Sequence, residues 1–365
     1  MTIRSVPVLT ALALAFLGVS SSVAQPRVVA TIPPIHSLAS LVMEGVATPK
    51  VLLTGSESPH RYTLKPSQSR ALSEAEVVFR VDESFETFMN KPLKALAGQA
   101  TVVSLINVPG VKLLKWQDEH DDHSSHKNPD AHKDHDDHKK HGHKDHDDHK
   151  KHGHKDHDAH KKHGHKDHDD HKKDGHKEHA DKGHDHHDHG GEYDIHIWLD
   201  TRNAIAMVKA IAKVLSTKDA ENSVRYKSNA DRAVIRLQAL NAEVKTILKP
   251  VQRAPFMNFH DAWQYFNAEF SMNYVGALTL NPEAKPGARR IAQVQKTIRE
   301  SGAKCLFAEP QFPAALAQVA VRGTPAKIDV IDPIGAYLTP GPDLYFDLMR
   351  QTANEMASCL GRSKG

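Results

Sequence analysis

Histidine is distributed unevenly along this chain. Of 28 histidines, 24 lie between His120 and His189, and four lie elsewhere: His36, His60, His196 and His260. Neutral imidazole is a good ligand for divalent metals, so both sets point to metal chemistry. The dense set is one eleven-residue unit, written twice in HKDHDDHKKHGHKDHDDHKKHG (132–153) and repeated with changes to about residue 180. The sparse set has a different character. His60 lies in SESPHRYTLKPSQ after the strand-like KVLLTG, His196 lies in DIHIWLD just before a helical segment, and His260 ends the strand-like PFMNF. Loops at the carboxyl ends of strands are where open α/β sheets bind ligands.

Three neutral imidazoles suit Zn²⁺, with Zn–N bonds of about 2.0–2.1 Å. A fourth ligand would have to be oxygen. Asp332 in VIDPIG ends the last strand-like run and is the first candidate; Glu309 in FAEPQF is the second. His36 follows the first strand-like run and competes for a place in the set.

The elements around these residues are of α/β type. RVVATIPPI (27–35), KVLLTG (50–55), AEVVFRV (75–81) and ATVVSLI (100–106) are short β-branched runs separated by helical or turn segments, the pattern of a parallel sheet. After His196, TRNAIAMVKAIAKVL carries Ile205, Val208, Ile211, Ala212 and Leu215 at helical spacing, with Asp200 or Thr201 as the cap. The next segment runs from Ser216 without glycine, and Pro250 is its only proline. Ser216 and Asp219 fit a capping box and Pro250 a stop, so the spacing predicts one long helix over 217–250 connecting two lobes. Strand-like APFMNFHDA, SMNYVGALTL, AKCLFAEP and AKIDVIDP then alternate with helical segments in a second α/β unit.

The ends and the middle set the context. Arg4 is followed by the apolar VPVLTALALAFLGV and by small residues before Gln25, which reads as a signal peptide over 1–24. The apolar run is too short to span a bilayer. Cys305 and Cys359 are the only cysteines, and in an exported chain two are expected to pair. Residues 118–194 hold 15 Lys against 23 Asp and Glu, a net of −8, while the rest holds 33 Lys and Arg against 22 acids, a net of +11. An acidic, histidine-dense stretch attracts divalent cations and suits nucleic acid poorly. It is almost devoid of Val, Ile, Leu and Phe, so 118–192 is expected to be a disordered insertion. The predicted organisation is a signal peptide (1–24), an N-terminal lobe (25–216) holding that insertion, the long helix (217–250) and a C-terminal lobe (251–365).

SPHRYTLKPSQ, IHIWLD, FHDAWQYF, LNPEAKPGARRI, CLFAEPQF, VIDPIG and a final MASCL, in that order, resemble the periplasmic zinc-binding proteins of high-affinity zinc ABC importers. That cluster also contains manganese and iron binders. The resemblance covers nearly the whole chain after the leader. It implies two α/β lobes joined by one rigid helix, with the metal in the cleft between them. It makes His60, His196 and His260 the histidine ligands, and Asp332 the aspartate that completes the site in several members. Some zinc members use a glutamate just before the first histidine; Pro59 stands there in this chain, which leaves Asp332 or a water. Manganese members carry a carboxylate at the position of His260, so an imidazole there favours zinc. The Cys305–Cys359 pair matches a disulfide found in some zinc members, and a His- and acid-rich loop before His196 is a feature of the zinc branch.

The implied activity is capture of Zn²⁺ in the periplasm and delivery to a membrane permease, by a monomer without catalysis. The repeat would serve as an accessory metal collector. A periplasmic zinc buffer and a manganese-importing homologue are the other readings. A zinc enzyme is disfavoured, since no H-E-x-x-H or comparable general-base motif occurs.

Overall fold

The computed structural model describes residues 25–60, 62–116, 192–280 and 285–361. All of the described residues fall within one unit. The leader expected at 1–24 and nearly all of the insertion expected at 118–192 lie outside the described residues.

In the first lobe, β1 (Val28–Ala30), β2 (Lys50–Val51), β3 (Val77–Arg80) and β4 (Thr101–Ser104) form a parallel sheet in the order β2-β1-β3-β4. In the second, β5 (Phe256–His260), β6 (Tyr274–Thr279), β7 (Cys305–Ala308) and β8 (Lys327–Val330) repeat that topology as β6-β5-β7-β8. The central strands are mostly apolar and buried because both of their faces are covered. Val28, Ala30, Val77, Phe79, Phe256, Cys305 and Phe307 enter one core that runs through both lobes. The alternate residues Val29 and Val78 enter a separate cluster in the first lobe, and Met257, Phe259, Leu306 and Ala308 enter one in the second.

Helices α1 (Pro33–Met43), α2 (Pro66–Ser73), α3 (Asn90–Leu96) and α4 (Thr201–Lys218) belong to the first lobe. Helix α5 (Ser223–Leu248) follows, and α6 (Gln264–Phe270), α7 (Ala288–Ser301), α8 (Ala314–Val321) and α9 (Leu344–Gly361) belong to the second lobe. Two boundaries differ from the sequence pattern. RVVATIPPI yields only three strand residues, because Pro33 and Pro34 open α1, where a fixed φ suits the first turn and no amide is needed. The long helix starts at Ser223, since Ser216, Thr217 and Lys218 complete α4. Between them Asp219 turns the chain, accepting from Asn222 Nδ2 at 2.8 Å and the Tyr226 hydroxyl at 2.7 Å.

The 26 residues of α5 span about 39 Å at a rise of about 1.5 Å per residue. This helix packs on α1 and α4 of the first lobe and on α9 of the second. Its buried residues Tyr226, Ala230, Ala233, Leu237, Leu240, Val244 and Leu248 recur every three or four positions, as an amphipathic helix requires. Hydrogen bonds near the strand ends also cross between the lobes. Trp198 Nε1 donates to Pro333 O at 2.7 Å, and the Tyr345 hydroxyl donates to Trp198 O at 2.7 Å. The disulfide expected from the cysteine count is present, tying Cys305 of β7 to Cys359 of α9 with Cα atoms 6.4 Å apart. Among the described residues no helix is long and apolar enough to cross a membrane.

Candidate metal centre

Three segments meet at the carboxyl ends of the central strands. His60 comes from the loop between β2 and α2, His196 from the turn just before α4, and His260 is the last residue of β5. One ring nitrogen from each lies within 4.8 Å of the others, and His196 and His260 are buried. The ring centroids stand 5.4 to 5.9 Å apart. Tetrahedral zinc with bonds of about 2.0–2.1 Å needs nitrogens about 3.4 Å apart, so a modest contraction would gather them on one ion. The imidazoles line a pocket of about 10 Å³, about the room of one water-sized particle. Pro59, Phe85, Trp198, Phe312, Pro333 and Ile334 supply apolar walls. Such walls exclude water and strengthen the pull of the ligands on a cation.

Two imidazoles are backed by carboxylates. His196 Nδ1 lies 2.7 Å from Asp194 Oδ1, which also accepts from the His196 amide at 2.9 Å. His260 Nδ1 lies 2.6 Å from Glu309 Oε1. The strand register explains the second pair: Asn258 of β5 pairs with Phe307 of β7, so two residues on His260 comes level with Glu309. A carboxylate facing Nδ1 fixes the proton there and leaves Nε2 with its lone pair free for metal. Among the described residues His260 Nε2 is buried without a hydrogen-bond partner, as a metal-ligand atom would be. The outer oxygens Asp194 Oδ2 and Glu309 Oε2 are likewise buried and have no hydrogen-bond partner among the described residues.

The protonation states follow from these surroundings. Burial, helped by the nearby His196 and His260, holds His60 well below the usual imidazole range, so it is neutral and ready to bind at pH 7. Burial also pushes down on His260, but Glu309, with Asp261 and Asp194, outweighs it and the net direction is up. Burial pushes the Asp194 carboxyl up to about 8, against the pull of the His196 amide and of His260. A divalent cation in the pocket would draw that carboxyl back toward its ionised form. Glu86 accepts from Thr31 Oγ1 at 2.5 Å and from the amides of Val81 and Asp82, fixing the turn that carries Phe85. Phe85 then packs edge-on against His60 at 5.1 Å.

His60, His196 and His260 are therefore brought together as a set. Asp332 lies outside that group. Its Oδ1 accepts from Gln311 Nε2 at 2.9 Å and from the Ile334 amide at 3.0 Å, and its Oδ2 accepts from the Ala336 amide. Glu309 stands behind His260 as a hydrogen-bond partner. His36 lies in α1 with Nε2 3.0 Å from Pro49 O, and it too is outside the group. The backing role of Asp194 escaped the sequence reading, although an acid two residues before a candidate ligand histidine is a usable signal.

The chain matches the family described as zinc-uptake complex component A, periplasmic (ZnuA), over residues 28–359. It is 44% identical over 347 residues to the high-affinity zinc uptake system protein ZnuA of Brucella suis biovar 1, a match covering 95% of each chain. Its fold is similar to that of a zinc-bound deletion mutant of ZnuA, with 20% identity, a TM-score of 0.65, and 93% and 100% of the two chains covered. It is similar also to the periplasmic zinc binding protein TroA from Treponema pallidum, with 17% identity, a TM-score of 0.66, and 93% and 100% covered. At such identities these two likenesses speak to the fold.

Proposed function

This chain belongs to the periplasmic zinc-uptake component A family, and from that premise we propose that it holds Zn²⁺ on His60, His196 and His260 and passes it to a membrane permease. It is a periplasmic zinc-binding protein of high-affinity zinc uptake. The observation that carries the site assignment is the convergence of three imidazoles, two of them backed at Nδ1 by buried carboxylates. All-imidazole ligation suits zinc better than it suits manganese, which prefers harder oxygen donors. For the fourth bond we propose Asp332, released from the loop amides it now serves, with a water as the competing candidate.

Catalysis has no place in this reading. The two carboxylates nearest the pocket already face His196 and His260, which leaves neither placed as a general base. Residues 1–24 are proposed as the export signal, and 118–192 as an accessory collector. A repeat so poor in apolar residues would hold metal weakly, because each ion must order several residues. The test is metal titration of the chain lacking 118–192, beside its His60→Ala, His196→Ala and Asp332→Ala variants. One tight zinc should survive the deletion and be lost with either histidine. Loss of tight binding on the deletion alone would favour a buffer, and hydrolase turnover lost in His260→Ala would favour an enzyme. Unchanged affinity in Asp332→Ala would assign the fourth bond to water.

A further inference from the structure

The lobes touch at one further place beside the pocket. Gln311 lies just past Glu309, and its Nε2 donates to Gly55 O of the first lobe at 3.0 Å and to Asp332 Oδ1 of the second at 2.9 Å. Both partners are acceptors, so the amide orientation is fixed by chemistry: a flip would set oxygen against two oxygens. Gln311 Oε1 is left buried with no partner among the described residues, a penalty that a merely space-filling side chain would avoid. The same loops meet through their backbones. Gly55 has φ +97°, and a Cβ there would lie 2.7 Å from Ala336 Cα. Asp332 in turn receives the amides of Ile334 and Ala336. Gly55, Gln311, Asp332 and Ala336 thus close a ring of contacts, and that ring holds the loop leading to His60 against the second lobe.

His60 depends on such a tie. Among the described residues no carboxylate hydrogen-bonds its ring, whereas His196 and His260 each have one. We propose that Gln311 is a positioning residue that latches the His60 loop over the pocket and sets the rate at which zinc leaves. The proposal rests on the three-imidazole reading above. Zinc must both stay during capture and leave at the permease, and the Gln311–Gly55 bond between the lobes involves no metal ligand, so it holds even when Asp332 turns to the zinc and can break while the ligands stay. Breaking it should speed dissociation and leave association nearly unchanged, since the ligands themselves stay.

The test is release of one equivalent of Zn²⁺ from the full chain to excess chelator in stopped flow. Tryptophan fluorescence follows it, because the Trp198 ring lies 5.3 Å from that of His196. Gln311→Ala should release zinc about three- to tenfold faster, the size expected for losing the one neutral hydrogen bond to Gly55 O that crosses between the lobes. Its association rate should stay within about twofold, and its melting temperature without metal should match the parent. Gly55→Ala, which forces the same two loops apart, should also speed release, and the double variant should add little to either single one. A parental release rate in Gln311→Ala, or a change confined to association, overturns the latch. His60→Ala is the control for the underlying site: if it too releases zinc at the parental rate, the three-imidazole reading fails, and the latch with it.

Discussion

In the second lobe His260 is the tip of a central strand, and Glu309 stands level with it beyond the neighbouring strand. In the first lobe, built with the same strand order, His60 sits in a loop after the edge strand β2, and its ring meets Phe85 instead of a carboxylate. His196, between the lobes in chain order, is oriented by Asp194 two residues before it. One topology thus provides two grades of ligand. A strand-tip ligand inherits its orientation from sheet register, while a loop ligand is held by packing and by contacts with the opposite lobe. A site that must capture tightly and then release is served by that inequality.

The sharpest way to break the comparison is to delete ligands one at a time. His260→Ala should reduce zinc affinity by more than about a hundredfold, beyond the range typical for outer-shell partners. His60→Ala should lose less, because His260 is the more basic ligand and its removal strands Glu309 in the interior. Calorimetric titration of the two variants checks this; equal losses would erase the distinction between lobes. Next in size are the backing groups. Glu309→Gln and Asp194→Asn should each weaken binding about 10- to 100-fold with the three histidines intact.

Acid sharpens the same contrast. Zinc needs neutral imidazole, so affinity falls where a ligand takes up a proton. The His260 pKa is raised, so as pH drops proton competition begins there before it reaches His60, whose pKa is lowered. Titrations across pH 5 to 8 should therefore show an acid loss to which His260 contributes at higher pH than His60. Glu309→Gln should move that loss to lower pH even as it weakens binding at high pH; a loss that stays in place would remove Glu309 from the account. The smallest effect belongs to the histidine repeat. Removing 118–192 should leave the tight constant within about threefold while abolishing weak sites, as equilibrium dialysis with metal analysis would reveal.

Much of this was legible in the sequence, for identifiable reasons. His60, His196 and His260 announced themselves by lying beside strand ends once the repeat was set aside. The apolar, β-branched or aromatic runs around Val77 and Phe256 pointed to strands covered on both faces, and the cysteine count to the disulfide. Local pattern failed where two rules competed. RVVATIPPI looked extended throughout because β-branched residues precede its prolines, yet a proline pair also suits the first turn of a helix. Ser216 looked like a cap because capping boxes are local, but Asp219 stops one helix and folds back on Asn222 and Tyr226 to begin the next. The Glu309–His260 pair depends on register between strands far apart in sequence, which periodicity does not carry. Asp332 was placed correctly at a strand end, but which groups would meet its oxygens was beyond spacing alone.

The central claim is that one zinc sits on three imidazoles drawn from both lobes. Diffraction at the zinc absorption edge, from crystals of the chain lacking 118–192 grown with one equivalent of Zn²⁺, tests it most directly. The account predicts a single strong anomalous peak about 2.0–2.1 Å from Nε2 of His60, His196 and His260. A peak elsewhere, or one that leaves out either His60 or His260, would contradict it.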